Sequence, residues 1–441
     1  MHIPKLLIVS YDAFRYDYFD RNMTPFLEML KRNNTYVDYM KNVFITKTFP
    51  NHQTIATGLF VESHGVIDSE FYDKKSGRII KYSEELYNYN NNILPIWILN
   101  ENSDRNRHSG VMMWPGIGFK YHGSSPTFEL SWNISVSWRK RIDILISWFN
   151  HPKTPINFGM LYIEEPDFHG HGIGINNANF NKVLVKLDNI TKYLHDTLKE
   201  KSLNDVNVIH LSDHGMSTVT IDRIINLTNY INPSDYIYAG LSPVTNIYPK
   251  AGKETLIYTN LSIASKRTKK FNVYLKKEIP KIYHFSDNTR VGPILVVAKP
   301  GYAFETFYDN FPWYEKEFNI TVNEKSEFGV HGYDNNASEM YPFFFGVGPA
   351  FKAECKMQPF NNIDLLPLFC EILNVQCDHI NGTLGDLQKC LTKHNYKETF
   401  YSSVYIGGAV ISVLGIVILY LILLRKRHIE KYNTIYRARS T

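Results

Sequence analysis

Four acidic or imidazole side chains occupy the same kind of place in this chain, directly after a short apolar run. Asp12 follows KLLIVS, Asp167 closes EEPD after INFGMLYI, and Asp213 with His214 lies in SDHG after VNVIHL. A single aspartate after a strand is ordinarily a turn or N-cap residue. Recurrence after three strands points instead to a ligand site, because groups at the carboxyl ends of neighbouring parallel strands converge on one crevice. In DFHGH, Asp167 and His171 are four residues apart, and the glycine between them is expected to allow a tight turn that brings both to one ion. His331, in VHGYDN, is a third candidate ligand from far along the chain. Carboxylate and imidazole without cysteine suit Zn²⁺ in an open catalytic site. His169 reads as a loop histidine and stays outside the set.

At Thr48, TFPNHQTIATGL reads as an extended segment turning into a helix, with Pro50 in the first turn. Capping is the ordinary role of a threonine there. Nucleophilic catalysis is the alternative, since a hydroxyl beside a metal loses its proton more easily and a helix N-terminus stabilises an anionic phosphate.

These groups need a scaffold that delivers them to one edge. Lys5–Ser10, Ile156–Ile163 and Val206–Leu211 are apolar runs of the length and β-branched content of buried strands. Thr24–Arg32 and Asn181–Lys199 read as helices, the second with Val183, Leu184, Leu187, Ile190, Leu194 and Leu198 at helical spacing. Strand alternating with helix predicts an α/β fold, a mostly parallel central sheet with helices on both faces. With 441 residues, 44% apolar and 21% charged, the chain is of a composition that folds. Four cysteines in this length do not make a disulfide scaffold, so a hydrophobic core carries the fold.

The net charge of +5 comes from one end. Between Arg425 and Thr441 six Lys/Arg stand against Glu430 alone, which leaves 42 basic and 42 acidic groups in the rest of the chain. That balance excludes a nucleic-acid-binding surface of the usual basic kind. Ile406–Leu424 is 19 residues without a charge, enough to cross a bilayer as a helix, and RKRH follows it. The positive-inside rule then puts the tail in the cytoplasm and the large domain outside. The expected layout is an ectodomain over 1–390, a juxtamembrane stalk over 391–405, a transmembrane helix over 406–424 and a basic cytoplasmic tail over 425–441. Nine N-x-S/T sequons, at Asn22, Asn33, Asn133, Asn189, Asn226, Asn260, Asn319, Asn336 and Asn381, agree with a plasma-membrane, single-pass type I orientation. No secretory h-region opens the sequence, so the signal peptide is expected to be missing from it.

Taken together, YDAFR, KTFPNH…TGL, ESHG, WPG, EEPDxxGH, SDHGM and HGYDN closely resemble the ectonucleotide pyrophosphatase/phosphodiesterase family of the alkaline phosphatase superfamily, from about Lys5 to Cys390. The later motifs and the C-terminal anchor look most like the family's short, membrane-anchored members. The resemblance implies two Zn²⁺, with Asp12, Asp213, His214 and the nucleophile Thr48 on one ion and Asp167, His171 and His331 on the other. It implies in-line attack by Thr48, a phospho-enzyme, and release of a nucleoside 5′-monophosphate by water. Expected substrates are extracellular nucleotide pyrophosphates and phosphodiesters such as dinucleoside polyphosphates and NAD. The alternatives are a choline-phosphodiester hydrolase of the same family and a weakly active cell-surface binding protein on the same fold.

Three further expectations rest on the same resemblance. Where the family has an asparagine that donates to the phosphoryl oxygen, this chain has Ser69, with Asn51 a neighbour able to substitute. Trp114 and Tyr121 fall where the family places aromatic residues around the nucleobase, and PGIGFK lacks the acid that often follows WPG. For the cysteines, the residues alone leave three connectivities open, and the family pattern favours Cys370 with Cys390, leaving Cys355 with Cys377.

Overall fold

The computed structural model describes residues 3–89 and 93–392. Lys5–Tyr11 forms a strand in which every residue after Lys5 is buried. Its Leu, Ile and Val carry no polar alternation, so both faces need cover, and the strand takes the centre of the sheet. Phe158–Ile163 pairs with it in parallel on one edge, Ile8 opposite Met160, and Val206–Leu211 on the other, Ile8 opposite Ile209. The sheet extends outward through Ser109–Met112 and Phe128–Leu130 on one side and through Phe344–Val347, Thr35–Tyr36 and Cys355–Lys356 on the other, eight strands in all. Five of its seven pairings are parallel, while Phe344–Val347 runs antiparallel to both neighbours, so the sheet is mixed.

The helices gather in two packed sets. Pro25–Asn33 and Trp138–Phe149 lie against Ala178–Glu200, and Thr48–Thr57 and Ile96–Ser103 against Leu365–Leu373. The long helix starts three residues before the predicted Asn181 because Asn177 caps it, its side chain accepting from the Phe180 N–H at 2.9 Å.

A second, four-stranded antiparallel sheet, absent from the sequence reading, is made by Tyr236–Ala239, Val244–Pro249, Ile294–Ala298 and Phe271–Leu275 in that order. It has its own core, in which Ile247, Ile294 and Val296 meet Ile257 and Leu261 of the Glu254–Thr268 helix. A two-stranded ribbon joins this part to the central sheet: Ser217–Thr220 pairs antiparallel with Glu327–Val330, Ser217 opposite Val330. That pairing carries the chain from His214 to His331 across more than a hundred residues of sequence.

The disulfides differ from the expected pairing. Cys355 bonds Cys390, with Cα atoms 5.7 Å apart, and Cys370 bonds Cys377, at 6.3 Å. The reason is local. The Leu365–Leu373 helix ends at Asn374 in the left-handed region (φ 52°), Val375 N–H donates to the Cys370 carbonyl, and the chain folds back to bring Cys377 beside Cys370. Phe351 bridges Leu391, and Lys352 N–H donates to the Cys390 carbonyl, which lays Cys390 along the Phe351–Cys355 segment.

The chain divides into a unit over Met1–Leu391 and a second over Thr392–Thr441. The expected transmembrane helix at 406–424 and basic tail, with all of the expected stalk beyond Thr392, lie outside the described residues. Among the described residues no helix is long and apolar enough to cross a membrane.

Candidate active site and metal centre

The three central strands are parallel neighbours, so their carboxyl ends meet at one edge and deliver Asp12, Asp167 and the Asp213–His214 pair there. Backbone bonds lock the three exits together. Asp12 N–H donates to the Ile163 carbonyl at 3.0 Å, Asp167 N–H to the Asp12 carbonyl at 3.1 Å, and Ala13 N–H to Asp213 Oδ1 at 3.2 Å. Asp167 and His171 lie in a helix, Asp167–Ile173, rather than the expected tight turn, and the four-residue spacing puts both on one face. Gly170 serves packing instead: a Cβ there would sit 2.5 Å from Met216 Sδ.

Thr48 opens the Thr48–Thr57 helix, but it does not cap it. Lys47 holds the cap position, and the Thr48 hydroxyl lies 3.2 Å from His214 Nε2. The preceding turn is knitted to His331: the Thr46 hydroxyl donates to the Tyr333 carbonyl at 2.9 Å, and Gly332 N–H donates to the Thr46 hydroxyl at 3.1 Å.

Two ligand groups result. Atoms of Asp12, Asp213 and His214 lie within 4.8 Å of one another, as do those of Asp167, His214 and His331. His171 joins the second group, its Nε2 3.3 Å from Asp167 Oδ2 and 3.1 Å from His331 Nε2. The tautomers follow from the carbonyls behind the rings, because a carbonyl only accepts. His214 Nδ1 donates to Gly215 O at 2.9 Å, His171 Nδ1 to Gly329 O at 2.8 Å, and His331 Nδ1 to Thr46 O at 3.0 Å. In their neutral forms all three therefore aim an Nε2 lone pair into the site, facing carboxylate oxygens that also only accept. Asp12 Oδ1, Asp167 Oδ1 and Asp213 Oδ2 are buried without a hydrogen-bond partner. Lone pairs converging on lone pairs, with backbone partners fixing each ring, are what a divalent cation requires.

The electrostatics agree. Burial, then the Asp213 and Asp167 carboxylates, push Asp12 well above the usual carboxylate range. Burial acts upward on Asp213 too, but His214 and His52 outweigh it and hold that carboxyl at about 2. Burial, with His214 and His171 adding to it, holds His331 well below the ordinary imidazole value. Crowded acids beside a His331 ring held neutral form a site whose negative charge a bound cation balances.

The family model for type I phosphodiesterase / nucleotide pyrophosphatase matches residues 6–334. The bis(5′-adenosyl)-triphosphatase of Xenopus laevis is 36% identical over 427 residues, 96% of this chain and 89% of that protein. This chain belongs to the ectonucleotide pyrophosphatase/phosphodiesterase family. Family member 5 of Homo sapiens is 36% identical over 393 residues, 88% of this chain and 78% of that one. The solved structure of an inactive murine ectonucleotide pyrophosphatase/phosphodiesterase 5 in complex with AMP superposes with a TM-score of 0.79 at 36% identity, covering 88% of this chain and all of the other. The family is metal-dependent, in agreement with the two ligand groups, and the relatives' names support a hydrolase of the nucleotide pyrophosphatase/phosphodiesterase type.

Several residues that support this family site carry no signal in the sequence reading. Buried His52, one turn into the Thr48–Thr57 helix, has Nδ1 2.8 Å from the Thr48 carbonyl and 3.3 Å from Asp213 Oδ2, and the Ser10 hydroxyl meets its Nε2 at 2.9 Å. Tyr162 donates to Asp12 Oδ2. Arg141, fully buried, pairs with Glu164 at the exit of the second strand, where the Trp138 indole also donates at 3.0 Å. His52 was visible in KTFPNH, but its type and place said nothing about which atoms it would meet.

The remaining predicted residues divide. Ser69 is half-buried and its N–H donates to Asp68 Oδ1 at 2.6 Å. Asn51 cannot stand in for the family asparagine: its Oδ1 accepts from Val43 N–H and Asn362, and its amide donates to the Ile45 and Lys47 carbonyls. Trp114 and Tyr121 are 0% and 1% exposed and belong to the main core, so neither presents a face to a base. Trp114 packs edge-on against His52, and Tyr121 against Trp97. The aromatic surface left open lies elsewhere. Trp132, 51% exposed, sits with its ring 5.9 Å from that of Tyr162, and Phe49, next to Thr48, contacts half-exposed Tyr82. Eight of the nine sequon asparagines are exposed, whereas Asn260 is half-buried and its amide donates to the Tyr230 carbonyl.

Proposed function

We propose that this chain hydrolyses extracellular nucleotide pyrophosphates and phosphodiesters to nucleoside 5′-monophosphates, with Thr48 as nucleophile and two Zn²⁺. The reading is carried by three Nε2 lone pairs and three unpartnered carboxylate oxygens in two adjoining groups, with the Thr48 hydroxyl 3.2 Å from the His214 Nε2 that both groups share. Asp12, Asp213, His214 and Thr48 would hold one ion, and Asp167, His171 and His331 the other. Bound there, the ions supply positive charge to the equatorial and leaving oxygens and ease loss of the Thr48 proton.

Thr48 attacks phosphorus in line, the bond to the leaving oxygen breaks, and the departing group takes the proton that Thr48 gave up. Water then cleaves the Thr48 phosphoester and restores the hydroxyl. His52 steadies this step by holding the Thr48 carbonyl, and the helix N-terminus presents backbone N–H groups to the phosphate. Dinucleoside polyphosphates and NAD fit the site's phosphoryl chemistry, and the first is favoured by the bis(5′-adenosyl)-triphosphatase relative of Xenopus laevis. A base stacks on Trp132 or Phe49, a contact that tolerates all bases. We place the enzyme at the plasma membrane, anchored by 406–424 with the catalytic unit outside, on the strength of the apolar span and the exposed sequons.

The test is hydrolysis of a chromogenic nucleotide phosphodiester by the full chain in detergent, with and without chelator, beside Thr48→Ala, Ser69→Ala and Ser69→Asn. Activity abolished by both chelator and Thr48→Ala is the expected result. A wild-type protein that is inactive until Ser69→Asn revives it would instead mean a binding protein on a disabled catalytic fold.

A further inference from the structure

An open groove of about 500 Å³ is lined by the start of the Trp138–Phe149 helix and by the Ala178–Glu200 helix, and by none of the metal-ligand candidates. Lys186, Asn189, Ile190 and Tyr193, spaced as one face of the long helix, form one wall. The segment from Ile134 to Arg139 forms the other. Both walls are accessible: Ile134 is 48% exposed, Arg139, Lys186 and Asn189 are exposed, and Val136, Trp138, Ile190 and Tyr193 are half-buried.

The walls are fixed from below. Buried Arg141 pairs with Glu164, and its Nε donates to the Val136 carbonyl at 2.8 Å. The Trp138 indole N–H is taken by Glu164 at 3.0 Å, so Trp138 offers the groove its ring and no donor. The Tyr193 hydroxyl donates to Asp143 at 2.6 Å, and the Arg139 guanidinium lies 3.9 Å from the centre of the Tyr193 ring. A formed groove with an accessible apolar lining is a surface made to be covered.

Its cover is named by Asn189. That residue begins N-I-T, and its exposed side chain stands in the wall, so a sugar attached there starts inside the groove at a high local concentration. Thr191 sets the order of events. Its hydroxyl is buried, 2.7 Å from the Tyr11 hydroxyl, and donates to the Leu187 carbonyl at 2.8 Å. The sequon is therefore readable only before the helix packs, and a sugar added then is present when the groove forms.

We infer that Asn189 carries an N-linked oligosaccharide whose first rings lie in this groove, their apolar faces on Ile134, Trp138 and Ile190 and their hydroxyls accepting from Arg139 and Lys186. The inference rests on the proposed extracellular placement of the catalytic unit, because the sugar donor, a lipid-diphosphate oligosaccharide, is met on the lumenal side of the secretory membrane. In the transfer the Asn189 amide nitrogen bonds the anomeric carbon, the bond from that carbon to the diphosphate oxygen breaks, and the amide proton leaves with the lipid diphosphate. Rings seated in the groove bury apolar surface that a solvent-facing sugar leaves open, and they are shielded from trimming enzymes.

The test is glycopeptide mass spectrometry of the full chain, isolated in detergent from the cells that make it and, with its variants, expressed behind a secretory leader in mammalian cells. Asn189 should be occupied and its sugar still oligomannose, while sugars at exposed sequons outside the groove mature to complex forms. Asn189→Gln should lower Tm by about 2 °C, and Asn33→Gln, at an exposed sequon away from the groove, should leave it within about 0.5 °C. Ile134→Ser, at an exposed side chain, is the second variant should Asn189→Gln not fold: it should keep Asn189 occupied and let that sugar mature. A native chain bare at every sequon would show that the extracellular placement is wrong, and the inference falls with it. A chain glycosylated elsewhere but bare at Asn189, a fully processed Asn189 sugar, or an Asn189→Gln variant as stable as wild type overturns the inference alone.

Discussion

Lys47 stands one residue before Thr48, and its ammonium is buried: side-chain exposure is 5% for Lys47 and 0% for its partner Asp68. Nζ donates to Asp68 Oδ2 at 2.7 Å and to the Leu241 carbonyl, and Asp68 Oδ1 takes the Ser69 N–H. One cation thereby ties together the turn before Thr48, Ser69 and the loop between the first two strands of the second sheet. Burial pulls Lys47 down and Asp68 up, and each opposes the shift of the other. Asp68→Asn keeps an acceptor for Ser69 but strands a buried ammonium. Breaking a buried pair from one side costs about 3–5 kcal/mol, whereas removing both charges costs far less. For a folded unit of this size that loss lowers Tm by roughly 5 °C. A displacement of Thr48 near 1 Å would slow turnover on the order of 10²-fold.

The assay is a double-mutant cycle, with thermal unfolding and diester hydrolysis measured for Asp68→Asn, Lys47→Met and the two combined. The combined variant should regain most of the stability, short by about 1 kcal/mol because the Leu241 carbonyl loses its donor. Activity should recover less than stability, since the neutral pair no longer holds the turn. Single-variant costs that add to the double within about 0.5 kcal/mol would refute the coupling, because additivity of that quality belongs to independent sites. Bound metal, measured in parallel, separates a displaced Thr48 from a lost metal ion.

His64 should make stability fall in acid. Val66 N–H donates to its Nδ1, so Nε2 carries the proton toward the Thr54 hydroxyl, and burial with Arg290 holds the ring neutral down to about 3. Below about 6.5 the unfolded chain takes up a proton that the folded one refuses, so stability that is whole above that pH is lost toward pH 3 at ~1.4 kcal/mol per unit. His64→Gln should flatten denaturation midpoints between pH 6.5 and 4, and an unchanged slope would sink the assignment. Trp132→Ala should raise KM for a nucleotide substrate about tenfold, from the value of one base stack, with little change in kcat. An unaltered KM would send the base elsewhere. Non-reducing peptide mapping should recover the Cys355–Cys390 and Cys370–Cys377 links, and a linked Cys355–Cys377 peptide would contradict the fold-back at Asn374.

The acids were legible because three largely apolar runs are each followed within four residues by one, and parallel neighbours must share an edge. His331 was legible as a candidate ligand in VHGYDN, but not the path that brings it to the site. It reaches the site by four-residue strands, Ser217–Thr220 and Glu327–Val330, whose pairing leaves no local trace across that separation. The second sheet went unread for a similar reason: its strands are four to six residues long and pair antiparallel around a small core of their own. The aromatic assignment failed on coverage, which composition does not encode. The WPG turn, with Met113 at φ 60° and Gly116 at φ 92°, folds Trp114 inward onto His52, while Trp132 lies in an exposed segment with no motif around it.

Ser69 is the one departure from the family pattern at the phosphoryl site, and the surrounding structure limits what it can cost. The first backbone bond of the nucleophile helix runs from Asn51 N–H to the Lys47 carbonyl at 3.1 Å, which leaves the N–H groups of Thr48 and Phe49 ahead of it and Pro50 with none to offer. On the proposed mechanism those amides would meet the same phosphate as the ligand groups. A side-chain donor at position 69 is therefore one contribution among several, and it supplies the part that depends on the Lys47–Asp68 pair, because Asp68 holds the Ser69 N–H and so sets where the hydroxyl can reach. Shortening asparagine to serine moves the donor by less than one side-chain bond pair, whereas loosening Asp68 moves the whole turn. The ion pair therefore bears on the proposed phosphoryl site from two sides, through the turn before Thr48 and through the backbone of Ser69.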